Sequence, residues 1–317
     1  LFIRLDYGIF GVLYSYIISL VVTSLIYLIV SRDQYWGSTK TPKFDGMKHL
    51  AWVSYGITFL SFGLMTQSDV LLMNFFEVDI EQVGLYYLAT GLTGTMVFLL
   101  SGVAPMALSL FSETFSKDGL ETLGKLYCKI VGFSSYLTVP IYIFCAFNSS
   151  LLINFIYGSV FEEASLALII FTAFAGIQTA LGTNFTVSTL YVIQKPNKAI
   201  CTLVEGSFLN IMLNCFLIPF FGMPGAIIAT GVTMVYMVLR QLKIISTYIK
   251  IAPVFPVIGQ CFLYCLIASI PPLILSGLNM GHLITNLISY IAILAIILIY
   301  VKPFRQLGSI FNQSSSL

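Results

Sequence analysis

Residues 195–250 read KPNKAICTLVEGSFLNIMLNCFLIPFFGMPGAIIATGVTMVYMVLRQLKIISTYIK. Two apolar segments, 199–220 and 223–247, are separated here by little more than Gly222. Each is long enough to cross ~30 Å of hydrocarbon as a helix, which takes about 20 apolar residues. Lysine and arginine occur only toward the two far ends of the pair. The stretch therefore predicts a tight hairpin of two transmembrane helices.

The same pattern recurs along the whole chain and predicts nine transmembrane helices. They cover residues 8–30, 49–75, 83–111, 126–148, 164–193, 199–220, 223–247, 254–276 and 281–301. The composition agrees, because 58% of the residues are hydrophobic, 9% are charged and the mean hydropathy is +0.96. Soluble domains carry about a quarter charged residues. We expect an all-α, polytopic membrane protein.

The basic residues predict the orientation of these helices. Fourteen of the fifteen lysines and arginines fall in alternate loops on one side of the membrane, and only Arg4 lies on the other. An excess of Lys and Arg marks the cytoplasmic side. We therefore expect the first helix to run inward and the C-terminus to be cytoplasmic. A first helix in that direction, together with Leu1 at the start, predicts that the chain is the C-terminal part of a longer protein.

The sequence disfavours metal and nucleic-acid chemistry. The six cysteines lie in or beside the predicted spans without a C-x-x-C pair, and buried apolar thiols are the simpler interpretation. His49 and His282 fall at opposite membrane surfaces. The basic residues form no single stripe of the kind that binds nucleic acid. We expect no cofactor and no metal, with H⁺ or Na⁺ as the candidate coupling ions.

Polar and small residues follow helical spacing in several spans. In the second span Thr58, Ser61 and Ser68 share one face, which ends beside Asp69. Similar stripes run through three other spans: Gly84, Gly91, Gly94, Ser101, Pro105 and Ser109; Thr172, Gly176, Thr179, Thr183 and Thr186; Gly206, Asn210 and Asn214. Such stripes either let helices pack closely or line a wet cavity. Pro105 also predicts a kink, because it removes a helical hydrogen bond.

Two carboxylates fall well inside predicted spans, at Asp69 and Glu205. An ionised acid at mid-bilayer costs about 2.5–3.5 kcal/mol even on permissive scales, so it faces protein or water, finds a partner or takes up a proton. Ion coupling or substrate contact competes here with a structural hydrogen bond, for instance to Asn210 or to a neighbouring hydroxyl. The sequence predicts no buried Lys or Arg for either acid. Lys125 and Arg4 lie near membrane ends and are candidate contacts for an anion.

Three stretches resemble Wzx-type polysaccharide flippases, which are MATE-like members of the multidrug/oligosaccharidyl-lipid/polysaccharide exporter superfamily. They are Ser68–Leu72 with Val83–Tyr87, then Ile156–Phe161, and Leu209–Asn210 through Leu213–Asn214 to the run Ile218–Thr230. The last contains Pro219, Gly222, Pro224 and Gly225 and is the most specific. The resemblance covers residues 8–305.

The resemblance implies fourteen helices in two lobes of six, with two more at the end. Residues 1–30 are then the last helix of the N-terminal lobe, 31–48 a cytoplasmic linker and 49–250 the C-terminal lobe. Residues 251–305 form the additional pair, and 306–317 a cytoplasmic tail.

The implied activity is to flip oligosaccharide linked to undecaprenyl pyrophosphate across the bacterial inner membrane by alternating access, for O-antigen, lipopolysaccharide or other surface polysaccharide. The implied partners are this lipid-linked substrate, membrane lipids and polysaccharide polymerase machinery. A drug or metabolite antiporter of the MATE type shares the fold. A membrane glycosyltransferase or polymerase subunit, or a non-transporting scaffold, belongs to other classes, and the short exterior loops disfavour an enzyme.

Overall fold

The structure is a computed structural model that describes residues 8–30, 32, 52, 55–56, 67–101, 103–277 and 282–301. The chain divides into two compact units, Leu1–Val53 and Ser54–Leu317, and each is described by itself. The first contains helix α1 (Gly8–Val30), which carries no charged residue. Most of the predicted linker 31–48 and the whole tail 306–317 lie outside the described residues.

The described part of the second unit is almost entirely helical and contains no β-strand. Its helices are α2 (Ser68–Phe75), α3 (Ile80–Ser101), α4 (Val103–Phe147), α5 (Ser149–Ile156), α6 (Ala164–Ala180), α7 (Thr183–Val192), α8 (Pro196–Phe221), α9 (Met223–Ile245), α10 (Val254–Gly277) and α11 (Leu283–Val301), with a 3₁₀ turn at Ser159–Phe161. The expected all-α architecture is confirmed.

Six stretches of the described residues are long and apolar enough to cross a membrane. They are Leu13–Val30, Pro105–Phe147, Ala164–Val192, Pro196–Phe221, Met223–Ile245 and Val254–Ile274, and Leu283–Ile299 is a shorter apolar helix. The chain is thus a multi-pass membrane protein, as the composition predicts. Most of the predicted span 49–75 lies outside the described residues.

The predicted span 83–111 contains Gly102, which lies outside the described residues. The described part of α3 ends at Ser101, and that of α4 begins at Val103. Pro105 follows two residues later. The kink at Pro105 stays a prediction.

Two glycines interrupt helical runs where a side chain would not fit the backbone. Helix α4 leaves helical geometry at Gly119 (φ 77°, ψ −168°), inside the charged gap that separates two predicted spans. The predicted span 164–193 bends at Gly182 (φ 81°) between α6 and α7. A methyl group at Gly182 would come within 2.7 Å of Val131 Cγ2. Both positions use the left-handed region that glycine adopts without strain.

Helices α8 and α9 form the hairpin that the sequence predicts, and they pack along each other from their shared turn at Gly222. Helix α6 packs against α3, α4 and α9, while α10 packs on α4 and α11 on α10. One apolar core surrounds Tyr127 and Phe185. A second lies at the Gly222 end and includes Met73 and Tyr86. This second core encloses the candidate site.

Candidate functional site

Asp69 is the centre of the site and is fully buried. It lies in the first turn of α2. The positive end of a helix dipole favours a carboxylate at that position. Burial removes the carboxylate from solvent, so its charge has to be balanced by groups of the protein.

Three side chains from three other helices donate hydrogen bonds to the Asp69 carboxylate. The Tyr86 hydroxyl on α3 lies 2.6 Å from Oδ2, and the Thr230 hydroxyl on α9 donates to the same oxygen. The Asn214 amide on α8 donates to Oδ1 at 2.6 Å. Hydrogen bonds to a charged acceptor are roughly twice as strong as neutral ones. The carboxylate therefore joins α2 to α3, α8 and α9.

Asn210 lies on α8 one helical turn before Asn214 and supports this arrangement. Its amide nitrogen donates to Thr230 Oγ1 at 2.8 Å, and its Oδ1 accepts from Ser68 Oγ at 2.9 Å and from Asn214 Nδ2 at 3.1 Å. We call these side chains the Asp69 cluster: Ser68, Asp69, Tyr86, Asn210, Asn214 and Thr230.

The α8–α9 turn explains why these residues meet. Gly222 adopts φ 58°, which glycine tolerates, and α9 begins at once with Pro224 in its first turn. Gly225 brings α9 so close to α8 that a methyl group there would lie 2.5 Å from the Leu217 carbonyl oxygen. The tight turn holds Asn214 and Thr230 at similar distances from Gly222, and both therefore reach Asp69.

Within the described residues, Tyr86 is the one other titratable group bonded to Asp69. The charged residues of the helices around it lie elsewhere along those helices: Glu81 on α3, Lys198 and Glu205 on α8, Arg240 and Lys243 on α9. A carboxylate can only accept hydrogen bonds when it is ionised, and all three of its bonds have this sense. Asn214 Oδ1 is buried without a hydrogen-bond partner among the described residues. The site therefore contains an unused acceptor beside the carboxylate.

Several predicted site residues are brought together here. Ser68, Asn210 and Asn214 all join Asp69 within one hydrogen-bonded cluster. The predicted Thr58, Ser61 and Arg4 lie outside the described residues. Two members, Tyr86 and Thr230, were not predicted as site residues, although both occur in the stretches that carry the family resemblance.

Glu205 lies apart from the cluster and is paired with Arg240. This arginine is 39% exposed, so the expectation that no buried Lys or Arg is available to Glu205 is not contradicted. Arg240 Nε lies 3.0 Å from Glu205 Oε2, and Arg240 Nη2 donates to Oε1 at 3.4 Å. The Tyr236 hydroxyl donates to Oε2 at 3.2 Å. The two charged side chains are 37% and 39% exposed. The acid is held by an ion pair and by a hydrogen bond from a neighbouring hydroxyl, which was one of the predicted structural alternatives.

Lys125 is also paired, with Glu121 one turn before it at 3.1 Å, and its side chain is 46% exposed. In the stripe on α6 and α7, Thr172, Thr179 and Thr186 are buried. A methyl group at Gly176 would lie 3.0 Å from Tyr142 Cβ. Close helix packing, one of the two alternatives, accounts for the part of that stripe on α6.

The fold and the site together define a multi-pass, all-helical membrane protein in which four helices meet at one buried carboxylate. A family model described as "Polysaccharide biosynthesis protein" matches residues 3–166, just over half of the 317 residues. The chain belongs to this polysaccharide biosynthesis protein family.

One curated relative is the "Probable low-salt glycan biosynthesis flippase Agl15" of Haloferax volcanii, 24% identical over 274 residues. The match covers 86% of this chain and 55% of the relative, so the chain spans about half the relative's length. No solved structure matches the chain. The resemblance to polysaccharide flippases is confirmed at the level of the family. A relative named as a flippase agrees with the expectation of a transporter rather than an enzyme.

Proposed function

We propose that the protein flips a lipid-linked oligosaccharide across the membrane, as part of a two-lobed carrier that opens to one side at a time. The family membership carries this proposal, and the name of the archaeal relative supports it. The substrate we infer is an oligosaccharide on an undecaprenyl pyrophosphate carrier. The membrane we infer is the bacterial inner membrane, with the C-terminus in the cytoplasm as the basic residues predict.

A sugar chain crosses hydrocarbon only if polar groups replace its water. One face of α3 fits the wall of such a passage. Methyl groups at Gly84, Gly91 and Gly94 would meet no atom within 4 Å, and Tyr87 on the same face is 51% exposed. Lipid-facing helices expose large apolar side chains, whereas this face, beyond Ile80 at its start, exposes small residues and a phenol. We assign it to the substrate cavity.

The Asp69 cluster supplies an element with two protonation states that could drive such a carrier. With Asp69 ionised, Tyr86, Thr230 and Asn214 all donate to it. A protonated Asp69 becomes a donor and needs an acceptor. Rotation of the Asn214 amide would present its unpartnered Oδ1 and withdraw its N–H. Protonation would then exchange one hydrogen bond for another between α2 and α8, and the bond that Asn214 Nδ2 donates to Asn210 would be lost.

Between the two candidate ions, this donor arrangement favours H⁺. A hard cation takes oxygen ligands, whereas Asp69 Oδ1 is occupied by the amide N–H of Asn214. Sodium would first have to displace that donor. A proton requires that the Asn214 amide turn and give up its bond to Asn210.

The experiment compares Asp69→Asn with Glu163→Gln, an acid on the surface next to the α6 start, in a host whose surface polysaccharide depends on the protein. We expect Asp69→Asn to abolish polymer export at an unchanged level of membrane-inserted protein, while Glu163→Gln exports normally. Normal polymer in the Asp69→Asn strain would remove Asp69 from the mechanism. An unchanged glycan profile after deletion of the gene would overturn the proposed function itself.

A further inference from the structure

The interface of α8 and α9 contains a second buried polar cluster, toward the helix ends that carry the lysines. Here the Thr186 hydroxyl donates to Gln241 Oε1, and the Gln241 amide donates to Thr202 Oγ1 at 3.2 Å. Their exposed fractions are 0%, 5% and 0%. Thr202 lies about 9 Å from the start of α8 and Gln241 about 6 Å from the end of α9 at ~1.5 Å per residue. We call these residues the basic-end cluster.

Polar residues at the bend between α6 and α7 connect this cluster to the protein surface. Thr186 Oγ1 also lies 3.0 Å from the Thr183 carbonyl oxygen, and Gln178 Nε2 donates to Thr183 Oγ1 at 3.2 Å. Thr183 and Gln178 are both half-buried. Polar atoms thus continue from the α8–α9 interface to a partly open position.

Between the two clusters, α9 presents Thr230, Thr233, Met237 and Gln241 at helical spacing. Thr233 is fully buried, and its hydroxyl has no hydrogen-bond partner within the described residues. An unpaired buried hydroxyl is costly and uncommon in helices, where threonine usually bonds to the carbonyl four residues earlier. Thr138, Thr172 and Thr189 do so here. Thr233 therefore marks a polar position that packing alone does not account for.

The side chain of Met237 lies between Thr233 and Gln241 along α9 and packs against α8. A methyl group at Gly206 would lie 2.4 Å from Met237 Sδ and 3.7 Å from Thr233 Cγ2. The thioether thus fills the space that Gly206 leaves on α8. Methionine has three rotatable bonds and adapts readily to gaps. It is a suitable side chain for a contact that has to open.

The residues Gln241, Met237, Thr233 and Thr230 of α9, with the facing side of α8, form what we call the α8–α9 seam. We propose that this seam is the path by which a proton reaches Asp69 from the basic end of the bundle, and that Met237 closes it. Water admitted past Met237 would hydrogen-bond to Thr233. A hydronium ion in the seam would give its proton to the Asp69 carboxylate and leave as water. The inference rests on the proposed function, since it gives the coupling proton its route.

The charges near the seam do not block such a path. Glu205 and Arg240 neutralise each other at the same end of the hairpin, and α6, which also packs on α9, carries no charged residue. Lys198 and Lys243 stand at the ends of α8 and α9. Among the described residues, the interior of the seam therefore holds hydroxyl and amide groups and the Met237 thioether, and no fixed charge, up to Asp69.

The test measures water access to position 233 and does not depend on transport. Thr233→Cys is introduced after the exposed thiols Cys201 and Cys215 are replaced by alanine. Sealed vesicles of known orientation are treated with the small cationic reagent MTSEA, and free cysteine on the opposite side consumes any reagent that crosses. We expect slow labelling with Met237 present. Labelling from the basic side should be about tenfold faster in Met237→Ala, which corresponds to ~1.4 kcal/mol of barrier.

Matched variants separate the seam from a general loosening of the fold. Met237→Leu keeps an apolar plug and should stay slow. Met212→Ala removes a half-exposed methionine of α8 outside the seam and should change nothing. A Thr138→Cys reporter, buried on α4, should stay equally slow in the Met237→Ala background.

An unchanged rate in Met237→Ala, or faster labelling from the opposite side alone, would overturn the path. If Asp69→Asn still abolishes export in that case, the proposed function stands and only the route is wrong. Faster labelling from the basic side together with normal export by Asp69→Asn would show that water enters the seam but that Asp69 does not couple protons to transport, and this would overturn the proton path.

Discussion

Thr230→Val is the sharpest test of how the Asp69 cluster holds four helices together. Valine keeps the shape of threonine and removes its hydroxyl. Two hydrogen bonds disappear, the one donated to Asp69 and the one accepted from Asn210. The first involves a charged acceptor, which is worth about 1.5–3 kcal/mol in soluble proteins, and a buried N–H left unpaired costs about 1–3 kcal/mol.

The membrane reduces these values. Hydrogen bonds between transmembrane helices average about 0.6 kcal/mol and reach about 1.7, because unfolded helices in the bilayer find other partners. Asn210 also keeps the bonds that its oxygen accepts. We expect Thr230→Val to lower the free energy of unfolding by about 2 kcal/mol, the sum of one charged and one neutral bond at these reduced values. Thr230→Ser keeps the hydroxyl and should lose about 0.8 kcal/mol for one methyl group.

The assay is reversible unfolding in bicelles by steric trapping, with both variants made again in an Asp69→Asn background. A neutral partner weakens the hydrogen bond from Thr230. The cost of Thr230→Val should therefore fall by about 1 kcal/mol in that background, which is the coupling expected of residues in contact. Equal costs in the two backgrounds, or a Thr230→Val protein as stable as Thr230→Ser, would refute the bond network.

Gly225→Ala should cost about 3 kcal/mol of unfolding free energy or prevent insertion, because its methyl group meets the rigid Leu217 carbonyl. Gly259→Ala, whose methyl group meets no atom within 4 Å, should be stabilised by up to about 1 kcal/mol through helix propensity, and equal melting temperatures of the two alanine variants would contradict this contrast. Glu205→Gln should cost at most about 1 kcal/mol, as expected of a half-exposed ion pair with Arg240. Its flipping activity across pH should follow the wild-type curve, and a shifted curve would return Glu205 to the coupling mechanism.

Hydropathy predicted most helix bounds because a bilayer fixes the length and apolarity of a span. It joined α6 to α7, because the bend at Gly182 lies within an apolar run. Backbone breaks inside hydrocarbon leave little trace in composition when one residue produces them.

The candidate site was predictable in part. Asp69, Asn210 and Asn214 stood out because polar side chains inside spans are costly. Tyr86 and Thr230 did not, because the rotation of one helix against another decides which of many hydroxyl groups reaches the acid. The rotation of one helix against another cannot be read from a single sequence.

The α8–α9 hairpin is an exception, because its short turn relates positions on the two helices. Glu205 and Arg240 lie 17 and 18 residues on either side of Gly222, and Asn214 and Thr230 lie 8 residues on either side. In an antiparallel hairpin with so short a turn, residues equidistant from the turn lie at the same level, and those on the facing sides of the two helices meet. Pairing opposite charges at equal distance from Gly222 would have predicted the ion pair of Glu205 with Arg240.

The short turn at Gly222 also makes the hairpin a mechanical lever. At ~1.5 Å per residue, Thr230 lies about 12 Å along α9 from Gly222 and Arg240 about 27 Å. A rigid α9 that swings about this fulcrum multiplies displacement by the ratio of these arms. A shift of 1 Å beside Asp69 becomes about 2.3 Å at the level of Arg240. The hydrogen-bond exchange that we propose near this fulcrum would thereby be enlarged at the end of α9 that carries Arg240.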